Sequence, residues 1–306
     1  MNTYVSEEGM GMKPTSANII KRIIKDIVFS IVAFIILMHS IKEPMLYDLK
    51  TMQWEAEFPS VCIPTISLQY RGSILSNERD LEYARKDFPE LFENVYCFSD
   101  LKASRLIVIS ENKWLPYYFP VYSFLCIPIK VILQICGLPQ DRCFTMTNAV
   151  LFIIALFFIG YVLDASEKYR IVTILIFLSS PIIYYINLVS YETCMFTLVT
   201  IGLVLYRKKK YASSLLLISL SSTINNGIIG VEFGLVTIFI INIVRKHNCR
   251  LKEIEKRELL RIMGCFLCCS PTVLWFIFQK VYIGGAFFSK FVDWKWLLGR
   301  INTYLL

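Results

Sequence analysis

Charged residues are scarce in this 306-residue sequence: they make up 18% of it, whereas hydrophobic residues make up 56%. Ordinary soluble domains hold about 25% charged and about 45–50% apolar residues, so this composition excludes a soluble globular protein. The sequence also lacks a stretch in which basic and aromatic residues alternate, the pattern typical of nucleic-acid-binding surfaces. We therefore expect no nucleic-acid partner, and we attribute the net charge of +8 to membrane topology.

The sequence also lacks the ligand spacing of a structural metal site. Its ten cysteines form no CxxC pair matched by a second pair or by histidine, and its two histidines, His39 and His247, are far apart. Most of the cysteines lie within apolar runs, where a thiol packs as a small apolar side chain. Only Cys62 and Cys97 lie in a long polar stretch, and a disulfide between them remains open.

What the sequence does have is a series of apolar runs, mostly of about 17–22 residues, the length that crosses a hydrocarbon core of about 30 Å. The first run follows Lys21, Arg22 and Lys25, contains Asp26 and lacks a signal-peptide cleavage site. We interpret it as a retained span that leaves the N-terminus in the cytoplasm. The runs cover residues 23–41, 143–163, 170–187, 191–206, 211–224, 228–244 and 258–280.

Lysine and arginine are distributed unevenly between the connections of these runs. The connections 187–190 and 224–227 contain neither residue. Basic residues are instead concentrated in the connections 164–170, 207–210 and 245–261. Because basic loops stay on the cytoplasmic side of a bilayer, the second group is predicted to be cytoplasmic and the first group to face outwards.

A further apolar run at residues 117–138 would reverse this orientation if it crossed the membrane. It contains Pro120, Pro128 and a central Lys130 and begins with several aromatic residues, features that favour a helix lying in the membrane interface. Upstream, Ser76 followed by Glu78 and Asp80 predicts a capped helix that ends near Phe88.

The resulting prediction is an all-α, polytopic helical membrane protein with about seven spans. Residues 1–17 form a cytoplasmic tail and residues 18–41 the first span. Residues 42–142 form one large extracytoplasmic loop that carries the interfacial helix. Residues 143–283 form a six-span bundle, and residues 284–306, with Trp294 and Trp296, an outer interfacial segment. The sequence ends in the apolar residues Tyr304, Leu305 and Leu306, so we expect a fragment of a longer protein.

Several polar residues are predicted at the outer face, each with a structural alternative. Glu192 follows Ser190 in the first outer hairpin, where Ser190 could cap the next helix and Glu192 could stabilise its first turn. Glu232 lies near the start of the sixth run, where an ionisable group indicates function unless it reaches the surface. Asn225 and Asn226 could bind sugar hydroxyls or form a turn.

The predicted outer loop adds two further groups of candidates. Glu55 and Glu57 follow the first span and could return to the membrane surface, or simply be solvated. Lys113 precedes Tyr117 and Tyr118, a combination that suits a phosphate together with a sugar or prenyl chain. The alternative is an ordinary aromatic belt with a basic anchor.

The order of these segments resembles the GT-C superfamily of integral-membrane glycosyltransferases, of the protein-mannosyltransferase and aminoarabinose-transferase type. The resemblance covers roughly residues 18–245. It lies in the retained first span, the long outer loop, and the three segments YYFPVYSFLCIP, DRCFTMTNAVLFI and LSSPIIYYINLVSYE. Members of this family are usually longer, with more spans and a C-terminal outer domain.

The resemblance implies an enzyme of the plasma or inner membrane that uses a polyprenyl-phosphate sugar donor and a glycan, lipid or protein acceptor. In this family, one acid lies in the second outer loop, and the resemblance places it at Glu192. Another acid, usually Asp or Asp-Glu, lies in the first outer loop, where this sequence offers only Glu55 or Glu57. These acids serve as catalytic base or as ligands of metal or acceptor, so a divalent cation is possible although no cofactor is certain. The implied substrate-binding residues are Lys113, Tyr117, Tyr118, Arg142, Asn225, Asn226 and Glu232.

Two other classes of protein remain as alternatives. A non-enzymatic flippase or polymerase component for polysaccharide export would be expected to show internal repeats and broken helices, and we find no convincing repeat. A structural membrane subunit would be expected to use short connections, unlike the long loop predicted here.

Overall fold

The computed structural model describes residues 16–41, 58–89, 106–110, 112–116, 118–246 and 256–283. The first-loop acids Glu55 and Glu57, as well as Tyr117, therefore lie outside the described residues. The same holds for Cys97 and for the C-terminal segment 284–306 with its tryptophans. The predictions made for these residues stay predictions.

The described part of the chain is mainly helical, as predicted. The helices are α1 Ser16–Ser40, α2 Phe58–Arg71, α3 Glu78–Asp87, α4 Val121–Ile135, α5 Arg142–Phe157, α6 Glu167–Leu178, α7 Ile182–Tyr185, α8 Glu192–Arg207, α9 Tyr211–Ile224, α10 Ile229–Lys246, α11 Lys256–Cys268 and α12 Ser270–Ile283. A π-helical turn, Phe158–Val162, extends α5, and a 3₁₀ turn, Asn226–Ile228, precedes α10. Two antiparallel strands, β1 Leu106–Ser110 and β2 Lys113–Pro116, form a hairpin.

Four helical segments of the described residues are long and apolar enough to cross a bilayer. They are Arg22–Ser40, Gln140–Val162, Asn226–Lys246 and Glu258–Phe278. These segments match four of the seven predicted spans and support a membrane protein. The other three predicted spans contain shorter helices: α8 has 16 residues and α9 has 14, and the run at 170–187 is interrupted.

The interruption of that run has a clear cause in α5. Helix α6 ends at Leu178, Pro181 follows, and only the single turn α7 is formed before the chain leaves helical geometry. The side-chain amide of Asn148 donates hydrogen bonds to the carbonyls of Tyr185 (3.2 Å) and Leu188 (2.8 Å). These carbonyls therefore have partners outside a helix, and the segment 186–191 is buried. The connection at 187–190, which was predicted to face outwards, is therefore packed against other parts of the protein, and the side of the membrane on which it lies stays a prediction.

Helices α8 and α9 form a tight antiparallel pair, which the small residues of the two sequences permit. The Ser214 hydroxyl donates to the carbonyl of Gly202 at 2.6 Å, and a Cβ at Gly202 would lie 2.7 Å from the Ile218 side chain. Close approach through small and hydroxyl residues is typical of membrane helix packing. This agrees with the packing role expected for the serine-rich run at 211–224.

The described residues of the basic connections lie at one end of the helix bundle, which we call the basic end. There, the Lys25 ammonium donates to the Gly160 carbonyl (2.6 Å), and the Arg207 guanidinium donates to the Asp164 carbonyl (2.8 Å). At the same end, Lys246 pairs with Glu258 at 2.6 Å. The opposite end, where α8 begins with Glu192, we call the Glu192 end. It also holds the C-termini of α1 and α9 and the N-termini of α5 and α10.

The predicted orientation, with the basic end in the cytoplasm, can be tested by labelling. In a cysteine-free background, we expect a cysteine at Lys209 to be shielded from an impermeant maleimide added outside. A cysteine at Asn225, at the Glu192 end, should react. Labelling of the Lys209 position alone from outside would contradict the orientation that the positive-inside bias predicts.

Helix α4 lies against the helices of the Glu192 end. The Phe119 amide, just before α4, donates to the Thr223 carbonyl at the end of α9 (3.3 Å). The Tyr122 hydroxyl, in the first turn of α4, donates to the Phe144 carbonyl at the start of α5 (3.0 Å). These contacts join one end of α4 to two helix ends. They suit the predicted interfacial helix, whose depth in the membrane stays a prediction.

Two elements of the predicted loop region were missed. Residues 59–68 of α2 are buried without exception, although their mixture of Ser, Thr, Pro and apolar residues shows no helical period. The hairpin joins the α2–α3 connection through paired backbone bonds between Trp114 and Ser76, both 2.9 Å. Ser76 does not cap α3: Asn77 does so, in a capping box with Asp80. The predicted end at Phe88 is correct.

Candidate functional site

The Pro/aromatic segment and the segment that ends in Glu192 meet at the Glu192 end of the bundle. The rings of Tyr118 and Tyr191 are in contact, with centroids 4.6 Å apart. Val189 and Tyr191 also belong to the same buried cluster as Tyr122 and Phe144. The fold therefore places Tyr118, which lies just ahead of α4, directly beside the residue that precedes Glu192.

Glu192 is the first residue of α8, and its side chain is half-buried. The expected place in the first turn is confirmed, but the expected cap is wrong. Tyr191 occupies the N-cap position without a side-chain capping bond. Ser190 is buried, and its hydroxyl has no hydrogen-bond partner within the described part of the chain. A carboxylate at this position is favoured by the helix dipole.

Sequence reasoning missed a row of hydroxyl groups beside Glu192. Ser190, Thr193 and Thr197 are all buried, and among the described residues none of their side-chain oxygens has a hydrogen-bond partner. The spacing of four residues places Thr193 and Thr197 on one face of α8, and Ser190 lies two residues before that helix begins. The sequence did contain this signal. Buried polar groups without partners call for an explanation, and a polar ligand or ordered water would satisfy them.

Arg142 has a structural role in addition to any contact with substrate. Its guanidinium donates to the Ile41 carbonyl at the end of α1 (2.6 Å) and lies 3.6 Å from the Asp141 carboxylate. Nearby, the Thr145 hydroxyl donates to the Ser40 carbonyl (2.8 Å). These bonds hold the end of α1 against the start of α5. One donor nitrogen of the predicted substrate-binding group is thus engaged within the protein.

Of the remaining predicted residues at this end, Lys113 and Asn225 are exposed. Lys113 lies on β2 opposite Ser110. Asn225 caps the 3₁₀ turn, accepting from the Gly227 amide at 2.9 Å, so the turn alternative holds for this residue. Asn226 is the first residue of that turn and is half-exposed.

Glu232 lies inside the bundle rather than at its surface. Its side chain is buried, and its carboxylate accepts a hydrogen bond from Thr272 at 2.9 Å. The Thr272 hydroxyl also contacts the Ser219 hydroxyl at 2.7 Å, so α9, α10 and α12 share one polar network. The turn at Cys269 between α11 and α12 lies beside this network. Glu232 therefore does not reach the surface of the described part of the protein, so the alternative of a surface carboxylate is wrong, whereas its depth in the membrane stays a prediction.

The cavity between the aromatic segment and α8 is small. Tyr118, Tyr191 and Ile224 help to line a space of about 20 Å³, which holds a water molecule and not a sugar. A head group bound here would have to lie on the surface of the Glu192 end. The described residues contain no group of three or more His, Cys, Asp or Glu side chains that could hold a metal ion.

Comparison with known proteins adds no relative. No protein-family model, curated protein or solved structure matches the chain. The functional argument accordingly depends on the residues and their geometry.

Proposed function

We propose that this protein is a membrane glycosyltransferase that transfers a sugar from a polyprenyl-phosphate donor at the Glu192 end. The observation that carries the proposal is the contact of Tyr118 with Tyr191, which brings the aromatic segment beside a half-buried carboxylate. The resemblance of the same two segments to GT-C enzymes supplies the reaction. The lipid tail of the donor would stay in the bilayer while its head group lies beside Glu192 and the exposed Asn225.

The chemistry requires one base, which accepts the proton of the acceptor hydroxyl, and a leaving group, which is the polyprenyl phosphate. The acceptor hydroxyl attacks the anomeric carbon, its proton passes to the Glu192 carboxylate, and the bond between the sugar and the phosphate oxygen breaks. Polyprenyl phosphate leaves with the electron pair of that bond. A positioned base of this kind contributes about 10²–10⁴-fold in rate. The product has inverted configuration at the anomeric carbon, because a single displacement forms no covalent intermediate.

The hydroxyl row of α8 supports a polar ligand at the same place. Ser190 and Thr193 lie on either side of Glu192 in the sequence, and their buried oxygens have no partner in the described part of the protein. Hydroxyl groups can donate and accept, so they match the hydroxyls of a sugar. A helix start with a purely structural role would not need these buried hydroxyl groups.

The second candidate is transport of a lipid-linked sugar across the membrane, and one observation favours it. A buried acid inside a bundle is typical of transport pathways, and Glu232 forms such a group with Thr272. The helix beside it is broken at Cys269, ahead of Pro271. Broken helices next to polar groups are a feature of transporter sites.

One vesicle assay distinguishes the two functions. Purified protein is placed in vesicles with a polyprenyl-phosphate sugar donor and a water-soluble acceptor. The transferase forms a new glycosidic bond and releases polyprenyl phosphate, and replacement of Glu232 by Gln leaves this rate near wild type. Movement of intact donor between leaflets, lost in Glu232→Gln, would favour transport instead.

A further inference from the structure

A large cavity lies at the basic end, far from Glu192. Its volume is about 790 Å³, within the range of about 300–1,000 Å³ that is typical of ligand sites. Three helices form it: the start of α9, the last turns of α10 and the middle of α11. The lining residues are Lys209, Lys210, Tyr211, Ala212, Ser213, Phe239, Asn242, Ile243, Lys246, Glu258, Arg261, Gly264 and Cys265.

The charges in this cavity favour an anion. Four cations line it, Lys209, Lys210, Lys246 and Arg261, against the single carboxylate of Glu258. Since Lys246 pairs with Glu258 at 2.6 Å, three cations remain in excess. The described residues give no ion pair to Lys209, Lys210 or Arg261. The first amides of α9 at Ala212 and Ser213 add the positive end of a helix dipole to the same cavity.

The backbone conformation of Lys209 indicates that a lysine at this position serves a purpose other than the turn. Its φ is +60°, a left-handed conformation that normally selects glycine. Lys209 and Lys210 close α8 by bonds to the carbonyls of Tyr206 (2.9 Å) and Leu205 (3.0 Å), the pattern in which glycine is usual. A lysine here costs stability that glycine would recover, so a role for its charge is the simplest explanation.

The apolar surroundings identify the anion as a lipid. One wall of the cavity is apolar and buried, and it consists of Phe239, Ile243 and Cys265. Helices α10 and α11 belong to two of the membrane-length segments. Next to the cavity, α11 exposes Leu260 (66%) and Met263 (60%), side chains that face acyl chains in a bilayer. A phosphate head group can thus meet the cations while its tails follow the outer surface of α11.

We propose that the basic end binds an anionic phospholipid, with the lipid phosphate held by Lys209, Lys210 and Arg261. The cytoplasmic leaflet carries the anionic lipids, and the positive-inside bias predicts this end to be cytoplasmic. Basic pockets between membrane helices on that side suit such head groups. The site does not involve Glu192 and does not depend on the transferase reaction.

The simplest alternative is that these cations only set the topology, and Lys208 separates the two explanations. It belongs to the same run of four basic residues and is exposed, yet it does not line the cavity. For topology the number of charges matters, so Lys208 and Lys209 would be equivalent. For lipid binding the position matters, so of these two residues only Lys209 contributes to the affinity.

The test measures binding of phosphatidylglycerol to the purified full chain in neutral detergent micelles. We expect Lys209→Gln, Lys210→Gln and Arg261→Gln each to lower the affinity about fivefold, the equivalent of about 1 kcal/mol for each basic residue. Lys208→Gln should change it less than twofold. Lys209→Gly should unfold at a temperature no lower than wild type and still lose affinity, which removes misfolding as an explanation.

Two further ligands decide the class of anion. Phosphatidylcholine should not replace phosphatidylglycerol, and inorganic phosphate at millimolar concentration should not displace it. Equal binding of phosphatidylcholine, or equal losses in Lys208→Gln and Lys209→Gln, would overturn the proposal. Displacement by inorganic phosphate would show a site for free phosphate and overturn the assignment to lipid.

Discussion

Replacement of Glu192 by Gln is expected to lower sugar transfer by about 10²-fold or more, the usual contribution of a general base. Glutamine keeps the size and the hydrogen-bonding shape of the side chain but cannot accept the proton of the acceptor hydroxyl. The measurement is the rate of transfer in membranes that carry equal amounts of the two proteins. If Glu192 only stabilised the first turn of α8, the loss would be at most about 1 kcal/mol of helix stability, and transfer would be nearly unchanged.

Glu167 provides a matched control for this substitution. It is also the first residue of its helix, α6, and it is exposed at the basic end. Glu167→Gln therefore removes the same charge from the same helical position without approaching the proposed site. Its rate should stay close to wild type. Equal losses in the two variants would contradict a catalytic role and assign both carboxylates to helix stability.

The second large effect concerns folding, and it lies in the buried pair of Lys130 and Asp87. The Lys130 ammonium is 2.6 Å from the Asp87 carboxylate, and the side-chain exposures are 0% and 6%. Replacement of Lys130 by Met leaves the carboxylate buried without its cation. Because an uncompensated buried charge is costly, we expect the free energy of unfolding to fall by about 3–5 kcal/mol. Denaturant titration in detergent micelles measures the change.

Two comparisons show whether burial is the cause. The double variant Lys130→Met with Asp87→Leu removes both charges and should recover most of the lost stability, since an apolar pair can replace a buried ion pair. Lys246 and Glu258 form a pair of the same length, but the Lys246 side chain is 67% exposed. Lys246→Met should therefore cost at most about 1 kcal/mol. A similar loss in both single variants would rule out burial as the source of the effect.

The same pair also affects a neighbouring titration. Burial, together with a hydrogen bond from the Tyr70 hydroxyl to Asp87 (2.9 Å), raises the pKa of Tyr70 to about 12. Because Lys130, Asp87 and Tyr70 lie on α4, α3 and α2, one polar cluster holds three helices together. The central Lys130 that favoured an interfacial position for residues 117–138 is thus explained by its ion pair with Asp87.

The sequence predicted those features that depend on local pattern. The capping residues of α3 are adjacent in the chain, so its start was misplaced by one residue only and its end at Phe88 was correct. The apolar runs around α1, α5 and α10 matched membrane-length segments because length and hydropathy are local properties. The prediction that basic connections share one end also rests on local composition, and the contacts of Lys25, Arg207 and Lys246 agree with it.

The features that depend on distant partners could not be predicted. The break between α6 and α8 needs Asn148, about forty residues earlier in the chain, to bind the carbonyls of Tyr185 and Leu188. The burial of Glu232 depends on Thr272, which lies on a different helix. Helix α2 has no amphipathic period because other elements cover it on all sides. The candidate site is an intermediate case: Glu192 and Tyr118 were found from the sequence, whereas the hydroxyl row of α8 was overlooked.

The most direct measurement of the central claim is sugar transfer by the purified protein in vesicles. Polyprenyl-phosphate donors that carry labelled hexoses or pentoses are supplied together with a soluble acceptor. We predict labelled acceptor and free polyprenyl phosphate in equal amounts, formed at least about 10²-fold more slowly by Glu192→Gln. No transfer from any of these donors, or equal transfer by wild type and Glu192→Gln, would contradict a glycosyltransferase with Glu192 as its base.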